Sequence, residues 1–159
     1  MKQCGKLVRR ATIFVRDAEA SAAFYCSVFG FTVYSDQKIT LREGSPVTLG
    51  AHDRPRPARF ITVKGAHDFT GMIGLISLND EQPKDTLADG RLGVGNVVLV
   101  MEAEDIDTVA SAIEIAGGTL VMALHDAENT AGASGEKIPS RRFFAKDLDG
   151  YVLEVFEPQ

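Results

Sequence analysis

The chain repeats itself. Residues 7–33 and 95–121 align at an offset of 88: Asp17 falls on Asp105, Gly30 on Gly118 and Val33 on Val121. The apolar Ala11, Ile13 and Val15 fall on Leu99, Met101 and Ala103. Self-similarity at a fixed spacing restricts a chain to architectures built from copies of one supersecondary unit. Here each copy reads as strand, acidic helix start, amphipathic helix, glycine, strand.

The local chemistry of both copies supports this reading. Asp17 and Asp105 stand where an N-cap carboxylate accepts bonds from the orphan N–H groups of a first helical turn. Phe24, Tyr25, Val28 and Phe29 mark one face of the first helix, and Ile106, Val109, Ala110 and Ile113 one face of the second. Gly30 and Gly118 are placed to take the left-handed conformation that ends a helix. Further strands are expected at 31–38, 59–65 and 71–78, and at 119–124, 141–146 and 151–157. The last follows an Asp147-Leu-Asp-Gly150 turn. Residues 42–58, 79–93 and 125–140 read as loops, rich in Pro, Gly, Asn or acidic side chains, and 79–93 is the natural linker between the copies.

Bulk properties bound the function. The 159 residues suit one domain, with a first module over about 7–78 and a second over about 94–157. The net charge of −5 leaves no strong basic surface for a phosphate backbone, so no nucleic-acid partner is expected. No apolar run approaches a membrane span, and the first six residues lack a secretory signal, so a cytoplasmic protein without a membrane partner is expected. Cys4 and Cys26 make neither a disulfide framework nor a metal-binding spacing and read as reduced thiols. P-loop, dinucleotide-binding and nucleophile-elbow signatures are absent from the sequence.

Three stretches carry a family resemblance: Phe14-Val-Arg-Asp17 leading into Ala23-Phe-Tyr25 and Phe29-Gly-Phe31; Glu104-Asp-Ile-Asp107 leading into Ala116-Gly-Gly118; and Asp147-Leu-Asp-Gly-Tyr-Val-Leu-Glu154. With the duplication, they resemble the vicinal oxygen chelate superfamily of glyoxalase, bleomycin-resistance and dioxygenase proteins. The resemblance implies an α+β fold of two tandem βαβββ modules, forming a cupped, eight-stranded mixed sheet with helices outside. It also implies a ligand cavity and a homodimer. Fold alone does not choose among the reactions such a scaffold hosts.

In the enzymes of that superfamily a divalent metal is held by four side chains. The resemblance puts these positions on Arg10, Val98, Glu154 and, at or near it, Ser77. Valine offers no donor and arginine is a fixed cation, so no cofactor is expected, with a divalent metal as the alternative. His52, His67 and His125 all fall in expected loops. If the four positions converge, Arg10 and Glu154 meet in the cavity. They then form either a structural ion pair or a site in which Arg10 binds an anionic oxygen and Glu154 acts as general base. Strand alternation adds Thr12, Phe14, Val98, Val100, Glu102, Val152 and Phe156 to the ligand-facing set, while Ala11, Ile13 and Val15 face the helix. That set describes a mainly apolar pocket for a small anionic or aromatic molecule. Arg54 and Arg56, on the Pro-rich loop, read as lid cations or solubilising charge. Three classes stay open: a glyoxalase-like lyase, isomerase or ring-cleaving dioxygenase; a drug- or metabolite-sequestering dimer; and a regulatory or structural subunit.

Overall fold

The structure, a computed structural model, describes residues 7–42, 55–78, 92–131 and 135–159. Cys4, His52, Arg54 and most of the expected linker lie outside the described residues. The chain divides into two compact units at Lys84 and Asp85, with Ser27–Phe29 grouped in the second.

In the first module the order is β1 (Arg10–Phe14), α1 (Ala18–Phe29), β2 (Thr32–Leu41), β3 (Arg56–Lys64) and β4 (Met72–Leu78). The strands form one mixed sheet in the order β1-β4-β3-β2, with β1 parallel to β4 and the other pairs antiparallel. The second module repeats the plan: β5 (Val98–Glu102), α2 (Ile106–Ile115), β6 (Thr119–Ala131), β7 (Glu136–Lys146) and β8 (Val152–Pro158). Its sheet runs β5-β8-β7-β6, again with one parallel pair, β5 and β8. The expected tandem βαβββ, α+β architecture is therefore present, its eight strands arranged as two four-stranded sheets.

Both helices start as the sequence dictates. Asp17 accepts from the backbone N–H groups of Glu19 and Ala20 at 2.8 and 3.1 Å. Asp105 accepts from Thr108 N–H at 3.0 Å and from its hydroxyl at 2.7 Å. Gly30 closes α1 with φ 67°. In the second module the left-handed residue is Gly117, φ 90°, one position before the expected Gly118, because α2 is the shorter helix and ends at Ile115. Along α2, Ile106 and Ile113 are fully buried, and the helix packs on β6, β7 and β8. Burying each such side chain stabilises the fold by roughly 1.5–3 kcal/mol.

The closing turn also forms as expected. The buried Asp147 carboxylate accepts from Asp149 N–H at 3.0 Å and Tyr151 N–H at 2.9 Å, and Gly150 takes φ 89°. The segment 125–140 differs from expectation. Its described residues extend β6 and β7 as an antiparallel pair, in register from Asp126↔Arg141 out to Ala131↔Glu136. The small and polar residues there suppress the apolar alternation that marks a strand, while backbone pairing to β7 holds the extended form. His125 accordingly lies in β6, its Nδ1 2.9 Å from the Ala123 carbonyl oxygen. Arg56, expected in a loop, opens β3 and is buried.

Candidate functional site

The face of the first sheet that carries Arg10 follows from register. Arg10 pairs with Met72, Thr12 with Gly74 and Phe14 with Ile76 across the parallel β1–β4 ladder, so these six share one face. Ile13 and Val15 are buried on the other side, while Phe14 is 37% exposed. The alternation expected for β1 is present.

Arg10 is held in place by two contacts. Its guanidinium carbon lies 4.7 Å from the centroid of the Phe60 ring, a cation–π arrangement, and its Nε donates to Thr12 Oγ1 at 3.1 Å. Gly74 makes this possible. A Cβ there would stand 2.8 Å from Phe60 Cε2, 2.9 Å from Thr12 Oγ1 and 3.1 Å from Arg10 Cδ. The arginine stem, the phenyl ring and the threonine hydroxyl thus meet over a position that holds no side chain. With Nε on Thr12 and one guanidinium face on Phe60, the Nη groups find no carboxylate within their module among the described residues. Beside Gly74, across the β3–β4 ladder, Thr62 is 1% exposed and its hydroxyl has no hydrogen-bond partner.

Register corrects one assignment. Thr12 and Val100 correspond in the repeat; Val100 pairs with Glu154 and Thr12 with Gly74. The position equivalent to Glu154 is therefore Gly74. Ser77 pairs with Arg59 and alternates with Ile73 and Leu75, so it lies on the opposite face from Arg10 and is buried. A shift of three residues is odd and reverses the face.

In the second module Val98, Val100 and Glu102 pair with Val152, Glu154 and Phe156 on one face. Glu154 has a partner that the sequence reading missed. Arg142 on β7 reaches it at 3.2 Å, with both side chains less than a quarter exposed. Arg142 pairs with Phe156 on the neighbouring strand, which puts it diagonally beside Glu154.

On the helix-facing sides, two arginines repeat one device. Arg59 on β3 bonds Glu19, in the first turn of α1, at 2.7 Å, and Asp36 on β2 through Nε and Nη2 at 3.0 and 2.7 Å. Arg141 on β7 bonds Asp107, in the first turn of α2, at 2.7 and 3.1 Å. Glu19 and Asp107 are the corresponding residues of the repeat. The hydrogen bonds from these guanidinium groups hold the Asp36 and Asp107 carboxyls below the usual carboxylate range. These arginines tie helix starts to sheets and have carboxylate partners, whereas Arg10 has none of its own module among the described residues.

The donor set does not fit a divalent metal. Arg10 brings a positive charge, Val98 and Gly74 bring no donor, and Glu154 is ion-paired with Arg142. One carboxylate is too little for a metal that takes four to eight ligands. Among the described residues no three His, Cys, Asp or Glu side chains cluster in a way that could hold one. His67 accepts from Phe69 N–H at 3.1 Å and is part of a loop turn. Cys26 is half-buried, and burial pushes its thiol pKa up, away from thiolate chemistry. No described helix is long and apolar enough to cross a membrane.

The near end of the Arg10 face forms a concavity of about 390 Å3, lined by Arg9, Arg10, Thr12, Tyr34 and Met72. Its lining is more polar than the apolar set expected from the sequence.

The same architecture occurs in solved structures. A glyoxalase family protein from Bacillus cereus superposes with a TM-score of 0.74 at 18% identity, with 99% of each chain covered. TnmS3, an antibiotic binding protein from Streptomyces, gives 0.55 at 18% identity, with 99% of this chain and 100% of that one covered. A family enzyme from Burkholderia phytofirmans gives 0.52 at 19% identity, covering 95% and 98%. At these identities the likeness concerns the fold. No curated protein sequence matches the chain. The model of one family matches residues 7–155, nearly the whole chain and both modules. On that match the chain belongs to the Glyoxalase/Bleomycin resistance protein/Dioxygenase superfamily.

Proposed function

We propose that this chain is a small-molecule-binding member of its superfamily that works without a metal, receiving an anionic group of its ligand on Arg10. One observation carries the reading: the Arg10 guanidinium, stacked on Phe60 and tethered by Thr12, keeps its Nη groups clear of any carboxylate of its own module among the described residues. A guanidinium fixed by stacking loses little freedom on binding an oxyanion, and its paired N–H groups suit carboxylate or phosphate geometry. Phe14, on the same face and partly exposed, offers an aromatic or apolar part of the ligand a ring to lie on. In this reading Thr12 completes the ligand-facing set of the first module, Val98, Val100, Glu102 and Phe156 form the corresponding set of the second, and Ser77 leaves it.

Glu154 is assigned to its ion pair with Arg142 instead of to general-base chemistry. The reading is accordingly binding first, with turnover as the alternative. An antibiotic binding protein shares the fold, so ligand capture is a use this scaffold supports. We take the working form to be a cytoplasmic homodimer; light scattering on the purified protein tests the oligomeric state.

The deciding experiment is a thermal-shift screen of aromatic carboxylates, glutathione conjugates and cationic drugs, run on the native protein and on Arg10→Met. A ligand at 100 times its Kd adds about 2.7 kcal/mol, or roughly 5–11 °C for a chain of this size. Anionic ligands should raise the melting temperature of the native protein and not of Arg10→Met. A response confined to cationic drugs, or one unchanged in Arg10→Met, would overturn the reading.

A further inference from the structure

Arg10 is not the only cation in its concavity. Arg9 lines the same space, with Thr12, Tyr34 and Met72. Arg9 precedes the first residue of β1, so strand alternation does not send it to the opposite face. Tyr34 arrives by a backbone irregularity. The β2–β3 register runs to Val33↔Val63 and resumes at Ser35↔Thr62, which leaves Tyr34 as the extra residue of a bulge. Bulges re-aim a side chain, and here the phenol, on a residue 51% exposed, joins the lining.

Arg59, Arg141 and Arg142 are each paired with a carboxylate of their own module. Arg9 and Arg10 have no such partner among the described residues, in a chain whose net charge is −5. Two cations from neighbouring residues, with no carboxylate of their module paired to them among the described residues, and a phenol in the same lining make a site with an excess of donors and of positive charge.

We propose that this concavity is built for a dianionic phosphoryl headgroup, with Arg10 and Arg9 each donating to it and the Tyr34 hydroxyl supplying a third donor. The proposal rests on the Arg10 reading above and refines its ligand class. A phosphomonoester presents three terminal oxygens and two charges, which match three donor groups and two cations; a carboxylate presents two oxygens and one charge. The volume, about 390 Å3, is within the usual range for small-molecule sites.

Phenyl phosphate and phenyl sulfate test this, because they share a shape and differ in charge. At about pH 8 the phosphate is a dianion, since its second pKa is near 6, and the sulfate remains a monoanion. Calorimetric titration at physiological salt should give about tenfold tighter binding of phenyl phosphate, the size of one solvent-exposed charge-assisted bond. Arg9→Met should erase that preference, weakening phenyl phosphate about tenfold more than phenyl sulfate, and Tyr34→Phe should weaken phosphate more than sulfate. Arg10→Met should lose both probes, with melting curves confirming that each variant is folded. Equal binding of the two probes, or a preference that survives Arg9→Met, overturns the dianion proposal. If Arg10→Met still abolishes binding in that case, the Arg10 reading stands. If Arg10→Met binds both probes normally, or the native protein binds neither, the reading beneath the proposal fails with it.

Discussion

Gly74→Ala probes the packing that holds Arg10 over Phe60. The added methyl would meet Phe60 Cε2 at 2.8 Å, Thr12 Oγ1 at 2.9 Å and Arg10 Cδ at 3.1 Å, all inside normal contact. The arginine stem is flexible and exposed and can swing away. The phenyl ring has less freedom, because it packs against the buried Leu41, Ala58 and Ile76. Overpacking of this kind costs about 1–3 kcal/mol, and replacing a strand glycine by alanine returns about 0.5–1, so the net loss is about 0–2.5 kcal/mol, with a mid-range value near 1. In urea unfolding this appears as a lower midpoint at unchanged slope, and in a melt the mid-range value gives a drop of roughly 2–4 °C. Phe60→Leu provides the control. In the native background it removes the cation–π contact, worth about 0.5–1 kcal/mol at an exposed site. In the Gly74→Ala background it also relieves the clash, so its cost should shrink or reverse, a coupling visible in a double-mutant cycle. Gly74→Ala as stable as the native protein, with no coupling to Phe60, would refute the packing described here.

Three further outcomes follow from the same structure. Thr62→Val replaces a buried hydroxyl that has no partner with a methyl of similar size, and should raise stability by about 1 kcal/mol in urea titration; a loss would mean that the hydroxyl is satisfied. The Asp36 and Asp107 carboxyls titrate below their unfolded value of about 3.9, so their contribution is present above about pH 4 and is lost as pH falls through the lower folded values. Urea midpoints measured down to pH 3 should fall on the acid side, and the fall should flatten in the Arg59→Met, Arg141→Met double variant; an unchanged acid limb would contradict the assignment. Native mass spectrometry of freshly purified protein, without chelator, should show no stoichiometric divalent ion, and one ion per chain would contradict the donor argument.

The duplicated part of the fold was legible because short-range chemistry determines it. Asp17, Asp105, Gly30 and the apolar stripe of α2 each act within one turn of helix or one side-chain layer. The errors have a different physics. In Met72-Ile-Gly-Leu-Ile-Ser-Leu78 nearly every residue is apolar, so there is no alternation to mark a face. Only pairing with β1 shows that Gly74, and not Ser77, lies beside Thr12. The β6–β7 extension was hidden because Ala, Gly, Ser and Asn dominate its outer end and the pairing is made by backbone groups. Arg10 was singled out through the family resemblance, and Val98 as its partner through the repeat. Arg142, Arg9 and Tyr34 were missed because they depend on cross-strand neighbours, a strand start and a bulge. A signal for the Arg59 and Arg141 ties did exist: each precedes by one residue a third-strand residue, Phe60 or Arg142, on the opposite face of its sheet, and their acidic partners Glu19 and Asp107 occupy matching positions in the repeat.

The most direct test of the central claim watches Arg10 itself. In 1H–15N spectra tuned to arginine side chains, the Nε–H resonance that disappears in Arg10→Met is the group bonded to Thr12. Titration with an aromatic carboxylate identified by thermal shift should move that resonance along the same saturation curve as the stabilisation. A ligand that stabilises the protein to saturation while the Arg10 resonance stays fixed would contradict the account.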